Sequence, residues 1–224
     1  MTLKIDFKIF LFAILLWLTD QIEIYAIIMI FCIMHEIGHL LAGKLLGYRC
    51  EKIEVMPLGL SISFKLNIDD YNRKIKKANL LEIKKIIIAM AGPAVNVFAI
   101  ILFYIFFRNC SNITLYMNTI YANMMIFLFN LIPIFPLDGG RILFGVLYIL
   151  FGKRMALEIS NYISNFILVV LLIANSFLIL EYKNIALFFI SIFLSAMVVR
   201  ENKVFKLKNK IYKAVEEVKK ENTL

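Results

Sequence analysis

Histidine is scarce in this sequence and cysteine has no partner pattern. There are two of the first and three of the second in 224 residues. Cys32, Cys50 and Cys110 show no paired spacing, which argues against a disulfide framework and against a thiolate zinc site. With nine glycines, four prolines and no run rich in Ser, Gly or Pro, the chain offers no obvious linker between domains. No internal repeat is visible. The first apolar run, Ile9 to Leu18, has basic flanks but is followed by Asp20 and Gln21 with no small-residue cleavage pattern, so no removable signal peptide is expected.

What the sequence has in excess is hydrocarbon. Hydrophobic residues make up 62% of it, well above the roughly half that a soluble domain carries. A net charge of +9 would suggest nucleic-acid binding on a soluble chain. Here the charge lies between apolar runs, so topology explains it and no nucleic-acid partner is expected. Apolar stretches measured against the ~20 residues of a bilayer span predict helices near 5–19, 22–43, 86–107, 114–135, 157–180 and 185–199. A further piece, Ile142 to Gly152, is too short to span comfortably. The expected fold is an all-α polytopic membrane protein of about six transmembrane helices. It forms one domain over 1–199, followed by a short basic tail at 200–224.

The links after the first, third and fifth predicted spans hold two of the 25 Lys and Arg, namely Arg108 and Lys183. The positive-inside bias then places both termini and the 44–85 loop in the cytoplasm. Within that loop, KIEVMPLGLSISFKL (residues 52–66) alternates in hydropathy, with Pro57 and Gly59 between the two halves. A short β segment is predicted there. The following DYNRKIKKANLLEIKK is basic and is expected to lie on the surface. The tail beyond Arg200 has helical apolar spacing at Val204, Leu207, Ile211, Val215 and Val218.

Both histidines fall in one hexapeptide, MHEIGH, inside the second predicted span. Positions i and i+4 share a helix face, so His35 and His39 can ligate one metal ion. A Glu directly after the first His matches the zincin arrangement, in which Glu36 takes a proton from the attacking water. Two imidazoles and a carboxylate suit Zn2+ with an open position. Ionisable groups at bilayer depth cost about 2.5–3.5 kcal/mol each on insertion scales, so they usually serve a site. A third ligand is needed. NLIPIFPLDGGR, residues 130–141, supplies Asp138 as its only acid, beside two glycines and after Pro133 and Pro136. The predicted topology ends spans two and four on the same side, which puts His39 and Asp138 at one membrane face.

These motifs resemble the site-2 protease family of intramembrane zinc metalloproteases. HEIGH matches the family's HExxH, and Asn130, Pro133, Leu137, Asp138 and Gly139 match NxxPxxxLDG. AGPAVN, residues 91–96, matches GPxxN. IEVMPLGLS is similar to a family loop, with Leu60 where a second glycine is usual. The motifs run from about 30 to 145 in the family's order. The resemblance implies Zn2+ bound by His35, His39 and Asp138, Glu36 as general base, and Asn96 and Asn130 holding the substrate backbone. It also implies a membrane-associated protein substrate and an inhibitory membrane partner. The six-span layout is most like the sporulation branch, whose members release a sigma factor from its precursor at a bacterial inner or forespore membrane. With a short tail, regulation through the nucleotide-sensing CBS module common in that branch is not expected. Two other classes remain open: a multi-span metal transporter and an inactive membrane scaffold.

Overall fold

A computed structural model describes residues 2–5, 14, 17, 22–56, 59–65, 75–107, 112–182, 192, 195–196, 198–207 and 210. In chain order the elements are β1 (Thr2–Ile5), α1 (Ile22–Leu45), β2 (Arg49–Met56), β3 (Gly59–Lys65), α2 (Ile75–Phe106), α3 (Ile113–Leu131), α4 (Asp138–Phe151) and α5 (Lys153–Tyr182). Helix is also found at 198–207. The chain divides into two compact units, Met1–Ile132 and Pro133–Leu224.

In the first unit α1, α2 and α3 pack against one another, and the sheet lies against α1. At the level of HEIGH, α1 buries the polar face that a soluble helix would expose. On α1 the outward residues are Ile30, Ile33, Met34, Ile37 and Leu41, while His35, Gly38, His39 and Gly43 are buried. In lipid this is the sensible polarity, because hydrocarbon tails solvate Ile and Leu but offer nothing to an imidazole. Along α1 the buried face changes character. Ile27, Phe31 and Cys32 join Ala99, Ala122 and Ile126 in an apolar cluster. Phe31 and Phe103 meet edge to face at 5.9 Å between ring centroids. The histidines come one turn later, and beyond them Phe64 of β3 lies over Gly43.

Contact between α1 and α2 is close because of small residues. A Cβ at Gly38 would stand 2.8 Å from the Ala91 carbonyl oxygen and 2.7 Å from a Val95 methyl. The AGPAVN stretch is thus where α2 lies on the HEIGH level of α1. Pro93 sits inside α2 without ending it.

The sheet has order β1-β2-β3, with β1 parallel and β2 and β3 antiparallel. The alternation at 52–66 therefore reads correctly as two strands, and β2 starts three residues earlier. The Pro57 bend lies outside the described residues. Thr2–Ile5 brings a correction at one edge: Ile5, taken as the start of a first span, is the last residue of a strand paired through Ile5 with Val55. Pairing between residues some fifty positions apart leaves no local signature, so periodicity could not find it.

Three helices are long and apolar enough to cross a membrane among the described residues: Ile22–Leu45, Asn79–Phe106 and Lys153–Ala174. These answer to the predicted spans at 22–43, 86–107 and 157–180. Most of the predicted spans at 5–19 and 185–199 lies outside the described residues. The span predicted at 114–135 is the shorter α3, which carries Asn118, Asn123 and Asn130 and ends at Leu131. The stop has a direct cause: Ile132 precedes Pro133 and is forced to an extended ψ of 127°. Asn112 caps its start by accepting from the Leu115 amide at 3.0 Å. The basic stretch expected to lie on the surface is helical from Ile75 and runs unbroken into α2.

In the second unit, α4 packs on α5. Asp138, beyond the end of the predicted fourth span, opens α4, with Leu137 as N-cap. The preceding loop folds back onto this first turn. A Cβ at Gly140 would stand 2.6 Å from the Ile134 carbonyl, so only glycine admits the loop there. Ile134 is fully buried, and Ser164 of α5 ties the loop down, its hydroxyl accepting from the Phe135 amide at 3.3 Å and lying 3.4 Å from the Pro133 carbonyl.

Replacing Gly38 with valine should push α1 away from the Ala91 carbonyl, which cannot move without breaking α2. The expected cost is about 1–3 kcal/mol. It would be read as a lowered midpoint of thermal unfolding for the purified protein in mild detergent.

Candidate metal centre

His35 and His39 are one helical turn apart, 3% and 4% exposed. Their Nε2 atoms face each other at 3.1 Å, and the rings meet edge to face at 4.7 Å between centroids. The other nitrogen of each ring is engaged elsewhere. His39 Nδ1 lies 2.7 Å from the Ile88 carbonyl oxygen of α2. A carbonyl can only accept, so this nitrogen carries the proton and His39 Nε2 carries a lone pair. His35 Nδ1 lies 2.5 Å from the Asn96 Oδ1 atom, which assigns His35 the same tautomer.

Two lone pairs therefore point at each other in a buried, water-poor setting. They repel unless a cation stands between them. Two nitrogens on a tetrahedral zinc, with bonds of about 2.0–2.1 Å, stand roughly 3.3 Å apart. The observed 3.1 Å is close to that separation. The pair is thus arranged for a metal before any third ligand is considered. His35, His39 and Asp138 are all buried.

Asp138 sits in the first turn of α4, where the helix dipole favours an ionised carboxylate. Arg141 reaches it only weakly, at 3.9 Å from a side chain that is nearly half exposed. Glu36 is half-buried, next to His35 on α1. Of the two asparagines predicted to serve a substrate, Asn96 is fully buried with both ends of its amide engaged, by His35 and by Asn123. Asn130 is half-buried and donates to the Ile126 carbonyl at 3.0 Å.

Three contributors escaped sequence reasoning. The Ile88 carbonyl leaves no trace in a side-chain pattern. Asn123 sits seven residues before Asn130, on the same helix face, and an amide at that depth was a readable signal. Gly92 lay within a recognised motif, but its job was hidden. A Cβ there would collide with both imidazoles, standing 2.6 Å from His35 Nε2.

The model of peptidase family M50 matches residues 23–112 and 108–174, together more than half of the sequence. The chain belongs to peptidase family M50. Among curated relatives of this M50 chain, the zinc metalloprotease MJ0392 of Methanocaldococcus jannaschii is 29% identical over 185 residues, covering 81% of the chain. Stage IV sporulation protein FB of Bacillus subtilis is 24% identical over 145 residues, covering 63%. The chain spans 50% and 44% of the lengths of these two relatives. A solved structure, a site-2 protease from M. jannaschii, superposes with a TM-score of 0.66 at 25% identity, covering 89% of both chains. M50 zinc metalloproteases use Zn2+, and the donor set here suits that ion. The family and the three apolar helices identify an integral membrane protein.

Gly92→Ala should leave the helices in place but crowd the metal position. Zinc per chain, measured by elemental analysis after gel filtration, should fall well below that of the parent protein.

Proposed function

We propose that this chain is an intramembrane zinc metalloprotease that hydrolyses a peptide bond within or near a membrane segment of its substrate. The observation that carries the reading is the buried His35–His39 pair, whose tautomers turn two lone pairs toward one point. Family membership supports the same conclusion. His35, His39 and Asp138 are the proposed zinc ligands, and Glu36 the proposed general base.

Bound zinc would supply Lewis acidity toward the scissile carbonyl and the attacking water. The protein's own part is positional and protolytic. Glu36 takes the water's proton and returns it to the leaving amine nitrogen. Ile88 and Asn96 hold the imidazoles in the ligating tautomer. A transmembrane helix hides its peptide bonds within its own hydrogen bonds, so the substrate must first unwind into a strand. Among the described residues β3 pairs on one side only, with β2. Its other edge is the proposed place for that strand to add. Asn130 would hydrogen bond the substrate backbone, while Asn96, engaged by His35 and Asn123, supports the imidazole from behind.

The proposed substrate class is a membrane-associated precursor of a transcription factor, with a sporulation sigma factor as the specific case. The likeness to stage IV sporulation protein FB supports that choice. The charge distribution supports a topology in which the site and both termini face the cytoplasm of a bacterial inner or forespore membrane.

Co-expression with candidate precursors should yield a shortened product on immunoblots. Glu36→Gln should lower that cleavage at least ~10²-fold while keeping one zinc per chain, and His39→Ala should lose both. Undiminished cleavage by the Glu36→Gln protein would refute the reading. A transporter or scaffold would tolerate that change.

A further inference from the structure

Asn96 fixes the tautomer of His35 only if its own amide is held the right way round. Turned over, it would offer Nδ2 to the ring, and His35 would have to accept through Nδ1. The proton would then move to Nε2, the atom needed for metal. Something must decide between these arrangements.

We propose that Asn123 is a positioning residue that sets the His35 tautomer by relaying the polarity of the Thr119 carbonyl through Asn96. The chain of contacts is complete and buried. Asn123 Nδ2 donates to the Thr119 carbonyl at 2.9 Å. Because that oxygen can only accept, the Asn123 amide has one orientation, with Oδ1 toward α2. Asn123 Oδ1 accepts from Asn96 Nδ2 at 3.1 Å. This leaves Asn96 Oδ1 facing His35 Nδ1 at 2.5 Å. Turning Asn96 alone would set its Oδ1 against Asn123 Oδ1, and turning both amides together would set oxygen against oxygen at the Thr119 end. Asn96 and Asn123 are fully buried, and Thr119 is 4% exposed, so bulk water is not at hand to relieve the mismatch.

The two imidazoles thus reach the same state by different routes. His39 is fixed directly by the backbone of α2. His35, which has no carbonyl in that position, borrows one from α3 across two amides. The relay also ties the metal level of α1 to α3, so the site depends on three helices of the first unit.

The inference rests on the reading of His35 as a zinc ligand, but its test does not need zinc. The chain holds two histidines, so 15N-histidine labelling gives a spectrum with two rings to assign. In metal-free protein in detergent micelles, both rings should show a protonated Nδ1 and an unprotonated Nε2. In Asn123→Leu, the His39 signals should stay and the His35 signals should move toward the Nε2–H form. Zinc affinity, measured by chelator competition, should weaken about 10-fold or more. Asn123→Ser keeps a donor for Thr119 and an acceptor for Asn96, and should restore both readouts most of the way. If the leucine variant does not fold, Asn123→Ala gives the same comparison. A folded Asn123 variant whose His35 tautomer matches the parent would overturn the proposal, as would a serine variant no better than leucine. Should the parent bind no zinc yet show the relay-dependent tautomer, the metalloprotease reading fails and the relay stands.

Discussion

Two imidazole nitrogens, each with its lone pair exposed to the other inside an apolar bundle, are the constraint around which the first unit is built. Hydrocarbon gives such groups nothing to bond with, so protein must satisfy every remaining atom. The Ile88 carbonyl takes one Nδ1–H and Asn96 takes the other. The small residues of α1 and α2 follow from the same need. Only with Gly38 against Ala91, and Gly92 beneath the rings, can a backbone carbonyl come within hydrogen-bond reach of His39. The apolar cluster around Phe31 and Phe103 closes this level on one side along α1.

The second unit follows a related logic with different means. Its acid is held by a helix start. Pro133 ends one helix, the loop turns back over Gly140, and Asp138 begins the next. Ser164 of α5 secures that loop from the other side. Proline, glycine and a buried hydroxyl thereby convert an apolar stretch into a rigid mount for one carboxylate. A tight mount matters because a ligand misplaced by about an ångström loses much of its value.

Much of the site was legible from residue types alone. HEIGH on a helix names two candidate ligands and a candidate base, because i and i+4 share a face and no other histidine exists to compete. Asp138 stood out as the only acid in an apolar, proline-broken stretch. The fold was less legible. Length and hydropathy found the helices that became α1, α2 and α5, since an apolar run of that length has few other fates. They overestimated α3, where proline geometry shortened the helix, and they missed the parallel pairing of β1 with β2.

By itself, then, the sequence determined the proposed chemistry: which side chains are suited to a metal, which carboxylate is suited to move a proton, and that the helices are apolar enough for lipid. These are properties of single residues and of spacings within one helix, which local rules capture. The tertiary structure decided which nitrogen of each ring carries its proton, why Gly92 must lack a side chain, and that an asparagine on α3 speaks to a histidine on α1. Each of those depends on a backbone carbonyl or a close approach from a different helix. Hydrogen-bond direction is settled only when the partners meet in space, and no periodicity along the chain records it.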